Sequence, residues 1–437
     1  MNRSLARERF ETAGMAPGEV LVINEFDHPE RGPVRCSAAP AVSGWLRRRG
    51  FPVRQGCAPR LAPGLDSVLF TATYLDRDGH AVGLGAAAAS PGLAAAAADA
   101  VSAWASAMRT RRAVLVATDP TCPGERGSLA RVRNVLAAAS RPVYIYGQLT
   151  RNRHVADDLE QHGAVFTSSL DQIPDGATVL FPAHGAPLRV RAEAAARGMR
   201  IIDTTCPLVA AVHERARSYA ERGDTVALIG RPGHAAVAGI SGQAPENIRL
   251  ISTAREAGAL EVDNPLHLSY VVQTGIPVED TAPVLTALRS RFPALRGPHP
   301  DQFCYAASDR LGAIRRAAEV SDVVIVAGAR GCADSRQVLR AAAAAGAEAY
   351  LVGRADDIRP EWLGRSSAVG LTAGLGARRE LIDEVLTTLS GLGPLSVTRV
   401  DVSTEIITAR YAAAPQLPGI TLRRRPQATR RPRPERR

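Results

Sequence analysis

The sequence predicts an α/β protein with several sub-domains, and three observations favour this class. From Ala113 onward, short apolar strands alternate with amphipathic helices, which is the pattern of parallel sheets with crossover helices. The 437 residues exceed what one ordinary core holds, and domains of about 100 to 200 residues predict two to four of them. With 46% hydrophobic and 22% charged residues, the composition is that of a globular chain.

Residues 1–111 follow a different pattern from the rest of the chain. They contain an apolar strand at 20–23, a helix near 38–49 and a hairpin around a turn at 76–80. The alanine-rich stretch 85–108 is predicted to be a helix that does not span a membrane, because Pro91 and Asp99 interrupt it and alanine contributes little transfer energy. We therefore expect a small N-terminal α+β domain here.

The formal charge of +11 is concentrated at the end of the chain. Residues 423–437 carry eight arginines against one glutamate, which is +7 of the total. We predict a disordered Arg/Pro-rich tail over 411–437, and the alternative is an arm for nucleic acid or an acidic partner. Because the body is close to neutral, we expect no nucleic-acid partner.

The N-terminus and the cysteines indicate the compartment. Residues 1–20 contain no apolar core segment, so we predict no secretory signal, a cytoplasmic protein and no membrane partner. Six cysteines spread over this length favour thiols or metal ligands over a disulfide scaffold.

One arrangement recurs from residue 112 to 410: an apolar strand, a loop that contains Gly or Pro and a polar residue, and then a helix. The copies are VLVATDPTCPG, VLFPAHGAP, IIDTTCPLV, ALIGRPGHA, VVQTGIP, VIVAGARGCADS and AVGLTAGLG. Ligands of parallel α/β sheets bind at the carboxyl ends of strands, where these loops lie. We therefore expect one cleft, lined by Cys122, His184, Cys206, His234, Gln273, Thr274, Cys332 and Thr372. Ordinary turn chemistry of Gly and Pro is the alternative for any single loop.

Three cysteines have the surroundings of cluster ligands. Cys122 and Cys206 each precede a proline, and Cys304 opens a helical stretch at 305–320. They are about a hundred residues apart, which excludes the paired close spacings of a zinc ribbon. Taken alone, each cysteine is more often a small buried hydrophobe than a ligand. Three thiolates on a four-iron cluster would leave one iron open to a substrate oxygen.

Seven runs together resemble a known family. They are RNRHVADDLEQHGAVF, AHG, DTTCPLV with His213 after it, GHAAVAG, VVQTGIPVEDT, CYAASDR and GLTAG. In this order, over about residues 112–410, they resemble the 4-hydroxy-3-methylbut-2-enyl diphosphate reductase family, also called LytB or IspH. The resemblance leaves out the N-terminal domain and the basic tail.

The resemblance implies a trefoil of three α/β sub-domains around a central cleft. Its three cysteine ligands for a 4Fe-4S cluster match Cys122, Cys206 and Cys304. Family members reductively remove a hydroxyl from an allylic diphosphate, which gives isopentenyl and dimethylallyl diphosphate in the non-mevalonate route. The electrons would come from a carrier such as ferredoxin or flavodoxin.

The resemblance also assigns substrate contacts. The diphosphate-binding histidines match His184 and His234, and the threonine near the substrate hydroxyl matches Thr274, with Gln273 beside it. Of these, His234 and Thr274 are the predicted catalytic residues. Arg151 replaces a third histidine, and arginine still binds phosphate. Histidines that only satisfy their own surroundings are the alternative for His184 and His234.

Several positions depart from the family pattern. Ala236, in a loop expected at the cleft, stands where the family has a glutamate that relays a proton. Losing a general acid costs about 100- to 10,000-fold in rate. Cys332, Ala333 and Asp334 replace a Ser-Ser-Asn diphosphate clamp, and Gly376 replaces a further serine. We expect Asp334 to repel phosphate and Cys332 to be a thiol of the substrate site or a packed one. Three hypotheses follow: a reductase of an allylic diphosphate, a paralogue with another small substrate, or a non-catalytic iron-sulfur sensor.

Overall fold

The computed structural model describes residues 5–13, 15, 17–61, 67–75, 79–139, 142–375, 377–378 and 380–400. The predicted tail at 411–437, most of the predicted turn at 76–80 and Gly376 lie outside these residues. Among the helices described, none is both long enough and apolar enough to cross a membrane.

The first part of the chain forms a mainly antiparallel sheet with two helices. Its strands are β1 (Leu5–Ala13), β2 (Val20–His28), β3 (Gly32–Arg35), β4 (Val53–Cys57), β5 (Arg60–Leu61), β6 (Ser67–Leu75) and β7 (Ala81–Ala88), in the spatial order β4-β2-β3-β7-β6-β1-β5. Its helices are α1 (Ala39–Arg47) and α2 (Pro91–Ala105). Strands β6 and β7 pair from Val68↔Ala88 to Leu75↔Ala81, which confirms the predicted hairpin.

The predicted helix over 85–108 is wrong at its beginning. Residues 85–88 belong to β7, and the helix begins only at Pro91. A Cβ at Gly85 would lie 2.9 Å from Ile23 Cβ, so a small residue lets β7 lie close to its neighbour. Tertiary packing therefore overrides the helical propensity of these small residues.

From residue 111 onward, strands and helices alternate. The strands are β8 (Arg111–Val116), β9 (Val143–Tyr146), β10 (Ala164–Thr167), β11 (Thr178–Phe181), β12 (Arg200–Asp203), β13 (Thr225–Ile229), β14 (Ile248–Ile251), β15 (Leu268–Val272), β16 (Val323–Ala327), β17 (Glu348–Val352), β18 (Ala368–Ala373) and β19 (Leu395–Val400). The helices are α3 (Pro123–Ala138), α4 (Arg153–Gln161), α5 (Leu188–Ala196), α6 (Pro207–Glu221), α7 (Ala235–Ser241), α8 (Ala254–Ala259), α9 (Val278–Arg291), α10 (Ala306–Glu319), α11 (Ala333–Ala344), α12 (Pro360–Leu363) and α13 (Leu381–Ser390).

These strands form three parallel sheets, as the alternation predicts. Their orders are β10-β9-β11-β12, β14-β13-β15 and β17-β16-β18-β8-β19. Strand β8 lies between β18 and β19, which come from the end of the described chain. The loop after β8 therefore belongs to the sub-domain that the C-terminal strands build, which brings Cys122 near residues that are distant in sequence.

The five-stranded sheet shares a core with the N-terminal part. One of its faces packs against α10 and α11, and the other packs against α1, α2 and α13. Leu46 and Trp104 from the N-terminal part and Leu371 from β18 are fully buried in that second core. Nη2 of Arg48 donates a hydrogen bond to the carbonyl of Ile358 at 3.1 Å across the same boundary. The N-terminal part thus covers the sheet that carries the Cys122 loop.

Candidate active site

The three predicted ligand cysteines each stand at the beginning of a helix. Cys122 is the N-cap of α3, Cys206 is the N-cap of α6, and Cys304 comes just before α10. Pro123 and Pro207 occupy the first helical positions, which explains the two Cys-Pro dipeptides because this position needs no N–H donor. Helix N-termini carry partial positive charge and stabilise thiolates. Each helix N-terminus thus attracts the negative charge that a thiolate at this position would carry.

The thiols of Cys122 and Cys206 lie close to each other, and Cys304 is within electrostatic range of both. A Cβ at Gly124 would come within 2.7 Å of Cys206 Sγ and 3.9 Å of Cys122 Sγ, so glycine leaves room for both. Burial raises the pKa of the Cys122 thiol to about 12, with further contributions from Glu125, Cys304 and Cys206. Burial also raises the pKa of the Cys206 thiol, and the charge of Cys304 raises it further. Buried thiols that repel one another's negative charge ionise when a cation binds them.

Cysteine thiols are the ligands that iron-sulfur clusters use. Within the part of the chain that the structure describes, no three His, Cys, Asp or Glu side chains are placed to hold one ion. In a 4Fe-4S cluster each cysteine binds a different iron, so the thiols need not converge on one point. All six cysteines are free, so these three are available.

Two histidines and one glutamate lie beside the thiols. Oε1 of Glu125 is 3.3 Å from Nε2 of His184, and the rings of His184 and His234 meet edge to face with centroids 5.0 Å apart. His234 is the N-cap of α7, where its Nδ1 accepts the N–H of Ala236 at 3.1 Å. The two histidines lie together, and sequence reasoning missed Glu125 beside them. The available signal was its place in the first turn of α3, three residues after Cys122.

The charges of this group influence one another. Burial lowers the pKa of His234 to about 4, and His184 and Arg151 lower it as well. Burial by itself would raise the pKa of Glu125, but its hydrogen bond and charge interaction with His184 outweigh this effect, so the pKa is lowered. Near neutral pH the group therefore holds an ionised Glu125 and an uncharged His234, with the exposed Arg151 within electrostatic range.

Gln273 and Thr274 follow β15, at the same end of their sheet as His234 after β13. Gln273 is buried, and its Oε1 accepts the N–H of Arg231 at 2.8 Å while its Nε2 donates to the carbonyl of Thr274 at 3.4 Å. Thr274 is also buried. The side chain of Gln273 thus holds the loop that precedes His234.

Two positions differ from expectation. Thr372 lies inside β18 and is fully buried, so the expectation that it lines an open cleft is wrong. Ala236 lies in the first turn of α7 rather than in a loop, and it is fully buried as well. Both differences arise because the regular element extends to the residue that the sequence suggested for a loop.

The residues that replace the family's Ser-Ser-Asn clamp lie at the start of α11. Cys332 is its N-cap, and Ala333 and Asp334 are in its first turn. Nη1 of Arg310 lies 2.8 Å from Oδ1 of Asp334. This ion pair offsets the repulsion of phosphate that the sequence predicted for Asp334.

The fold and the site define an α/β protein that places cysteine thiols at three helix starts, next to a histidine pair. A family profile described as LytB protein matches residues 114–390. This chain belongs to the LytB family and is an oxidoreductase of that family.

Relatives and solved structures agree with this assignment. The 4-hydroxy-3-methylbut-2-enyl diphosphate reductase 2 of Mycobacterium bovis is 40% identical over 300 residues, which cover 68% of this chain and 91% of the relative. The corresponding reductase of Aromatoleum aromaticum is 39% identical over 287 residues, 66% of this chain and 92% of the relative. The structure of the E-1-hydroxy-2-methyl-but-2-enyl-4-diphosphate reductase from Plasmodium falciparum has a TM-score of 0.59 at 23% identity, over 69% of this chain and 96% of that one. This last likeness shows a shared fold.

Proposed function

We propose that this protein is an iron-sulfur reductase that removes the hydroxyl group from an allylic diphosphate, the reaction class that its relatives' names describe. The observation that carries the proposal is the approach of Cys122, Cys206 and Cys304 to one another at three helix starts. The three parallel sheets would form a trefoil around this point. A 4Fe-4S cluster bound by these thiolates would supply electrons and a Lewis-acidic iron.

The reaction needs both electrons and protons from outside the substrate. The carbon–oxygen bond breaks, the hydroxyl leaves as water, and the allylic skeleton gains one hydrogen, at a cost of two electrons and two protons. Isopentenyl or dimethylallyl diphosphate is the product. A carrier such as ferredoxin or flavodoxin would deliver the electrons in the cytoplasm.

The chain's own residues would bind and orient the substrate. Arg151 and the Nε2 of His234 are suited to donate hydrogen bonds to phosphate oxygens. Thr274 would contact the substrate hydroxyl, and Gln273 would hold the loop that places His234. His184 would line the same side of the pocket as His234, because the two rings are in contact.

A second candidate is a reductase of the same scaffold that acts on a different small substrate. Two observations favour it: Ala236 is buried and cannot carry a proton, and Asp334 is paired with Arg310 where the family pattern places a phosphate-binding side chain. Turnover measured on several allylic diphosphates and on allylic alcohols without phosphate distinguishes the two candidates.

The experiment that tests the proposal is anaerobic purification, followed by iron analysis, electron paramagnetic resonance and a turnover assay with a reduced viologen. We expect about four irons per chain and reduction of 4-hydroxy-3-methylbut-2-enyl diphosphate. Cys122→Ser, Cys206→Ser and Cys304→Ser should each lose the cluster, whereas Cys36→Ser should retain it because that thiol is buried in the N-terminal part. Full iron retention in the first three variants contradicts the ligand assignment.

A further inference from the structure

Glu125 is the pocket residue that the proposed function leaves without a role. It lies in the first turn of α3, and its side chain is 24% exposed, so the carboxylate is partly accessible to solvent. It acts electrostatically on Cys122, Cys206 and His234 and forms an ion pair with His184. Any ligand that enters between the thiols and the histidines meets this negative charge.

The carboxylate occupies the donor that His184 would offer to a phosphate. Oε1 of Glu125 is 3.3 Å from Nε2 of His184. The other ring nitrogen of His184, Nδ1, is buried and has no hydrogen-bond partner among the residues described. A neutral imidazole has only one N–H group, and even a protonated one keeps its second N–H buried here. His184 therefore has no accessible donor left for a phosphate oxygen while Glu125 holds it.

A phosphate and a hydroxyl respond differently to this carboxylate. An ionised phosphate cannot donate to it and is repelled by its charge, strongly so in a partly buried pocket. A hydroxyl can donate to the carboxylate, whose oxygens accept several hydrogen bonds, so the Glu125–His184 pair stays intact when it binds. The cationic side of the pocket is at Arg151, which is exposed, makes no ion pair with the described residues and acts on His234.

We propose that Glu125 is a specificity-determining residue that gives the pocket two unlike ends. The hydroxyl end of the substrate binds at Glu125, which His184 holds in place, and the phosphate end binds toward Arg151 and His234. This inference rests on the proposed function, because it assigns an orientation to the same substrate class. It follows that Glu125 weakens the binding of a pure anion and favours a ligand that carries a hydroxyl.

Calorimetric binding of inorganic diphosphate to anaerobically prepared, cluster-loaded protein tests the proposal. Glu125→Gln keeps the size of the side chain and removes its charge, so this variant should bind inorganic diphosphate about tenfold more tightly than the wild type. High salt should reduce the difference. An equal or weaker affinity of Glu125→Gln overturns the proposal.

Glu246→Gln is the matched control. It makes the same charge change at an exposed residue before β14, at the end of the sheet opposite to His234, and should stay within about twofold of the wild type. Tightening of the same size in Glu246→Gln would show a general charge effect and overturn the proposal. Glu125→Ala, analysed at equal iron content, should tighten the binding of diphosphate as Glu125→Gln does. Agreement of the two variants shows that the loss of the charge, and not a new contact of the glutamine amide, causes the effect.

A second measurement addresses the hydroxyl end. The affinity for 4-hydroxy-3-methylbut-2-enyl diphosphate relative to that for isopentenyl diphosphate should fall about threefold or more in Glu125→Gln. Only the first ligand has a hydroxyl, so only the first loses a hydrogen bond to the carboxylate. An unchanged ratio contradicts the proposed orientation. If the cluster-loaded wild type reduces no allylic diphosphate while Glu125→Gln still tightens inorganic diphosphate binding, the proposed function fails and the charge effect of Glu125 stands.

Discussion

Both terminal guanidinium nitrogens of Arg310 hold the carboxylate of Asp334, at 2.8 Å and 3.1 Å. Arg310 also donates to the carbonyl of Ala373 at 2.7 Å, and the N–H of Leu375 donates to Asp334 Oδ2 at 2.7 Å. The pair is largely buried, with about 15% of each side chain exposed. It therefore joins α10, the start of α11 and the end of β18.

We expect Asp334→Asn to lower the free energy of unfolding by about 1–3 kcal/mol, because it leaves the guanidinium of Arg310 partly buried without its counter-charge. Urea denaturation measures the change. Asp383→Asn makes the same substitution at an exposed position in α13 and should stay within about 0.5 kcal/mol of the wild type. Equal stability of the two variants would show that the ion pair contributes nothing.

Gly124→Ala should disturb the cluster site without replacing any of its proposed ligands. The new Cβ would lie 2.7 Å from Cys206 Sγ, closer than a methyl group and a sulfur can pack, so Cys206 must move. We expect iron content to fall at least about twofold from the value of about four per chain. Gly127→Ala is the control, since a Cβ there meets nothing within 4 Å in the same helix. Equal iron in both variants would contradict the close approach of α3 to Cys206.

His213 should make the protein less stable on acidification. It is 4% exposed, and burial lowers its pKa to about 4, with Arg191 and Arg217 adding to the effect. The unfolded chain protonates this ring near pH 6.5, whereas the folded chain does so only near pH 4, so unfolding takes up a proton between these values. Stability due to His213 is complete above pH 6.5 and falls by about 1.4 kcal/mol per pH unit below it.

His213→Gln should reduce that slope, since it removes one of the two lowered histidine pKa values and leaves that of His234. Urea denaturation at several pH values from 4.5 to 7.5 measures the slope. His154→Gln, at an exposed position, should keep the wild-type slope. A slope unchanged in His213→Gln would mean that this ring is already hydrated in the folded state.

Gly44→Ala tests whether the N-terminal part and the five-stranded sheet depend on one another. A Cβ at Gly44 would collide with the backbone of Asp356, lying 2.8 Å from its carbonyl carbon, so α1 would have to move away from the sheet's sub-domain. We expect a loss of about 1–3 kcal/mol in the free energy of unfolding. Gly92→Ala, in the first turn of α2 with open space around it, should be neutral or stabilising by up to about 1 kcal/mol. A neutral Gly44→Ala would contradict the shared core.

Much of the fold was predictable because its signals are local. The alternation of apolar strands and amphipathic helices after residue 111 and the hairpin between β6 and β7 follow from short-range patterns. The residues at which β7, α7 and β18 begin or end could not be predicted from such patterns. At Gly85, Ala236 and Thr372, burial against a neighbouring element decides the conformation. That element is distant in sequence, so a local sequence pattern contains no information about it.

The sequence by itself determined which residue types the site contains: three cysteines at helix starts and two histidines after strands, because ligand chemistry and helix boundaries are encoded within a few residues. Only the tertiary structure decided which charges meet. Glu125 faces His184 and Asp334 faces Arg310 because α3, α10 and α11 pack beside loops from other parts of the chain. Coulomb interactions depend on distance in space. Residues far apart in sequence therefore set the charge of the pocket, and with it the ligand that the pocket binds.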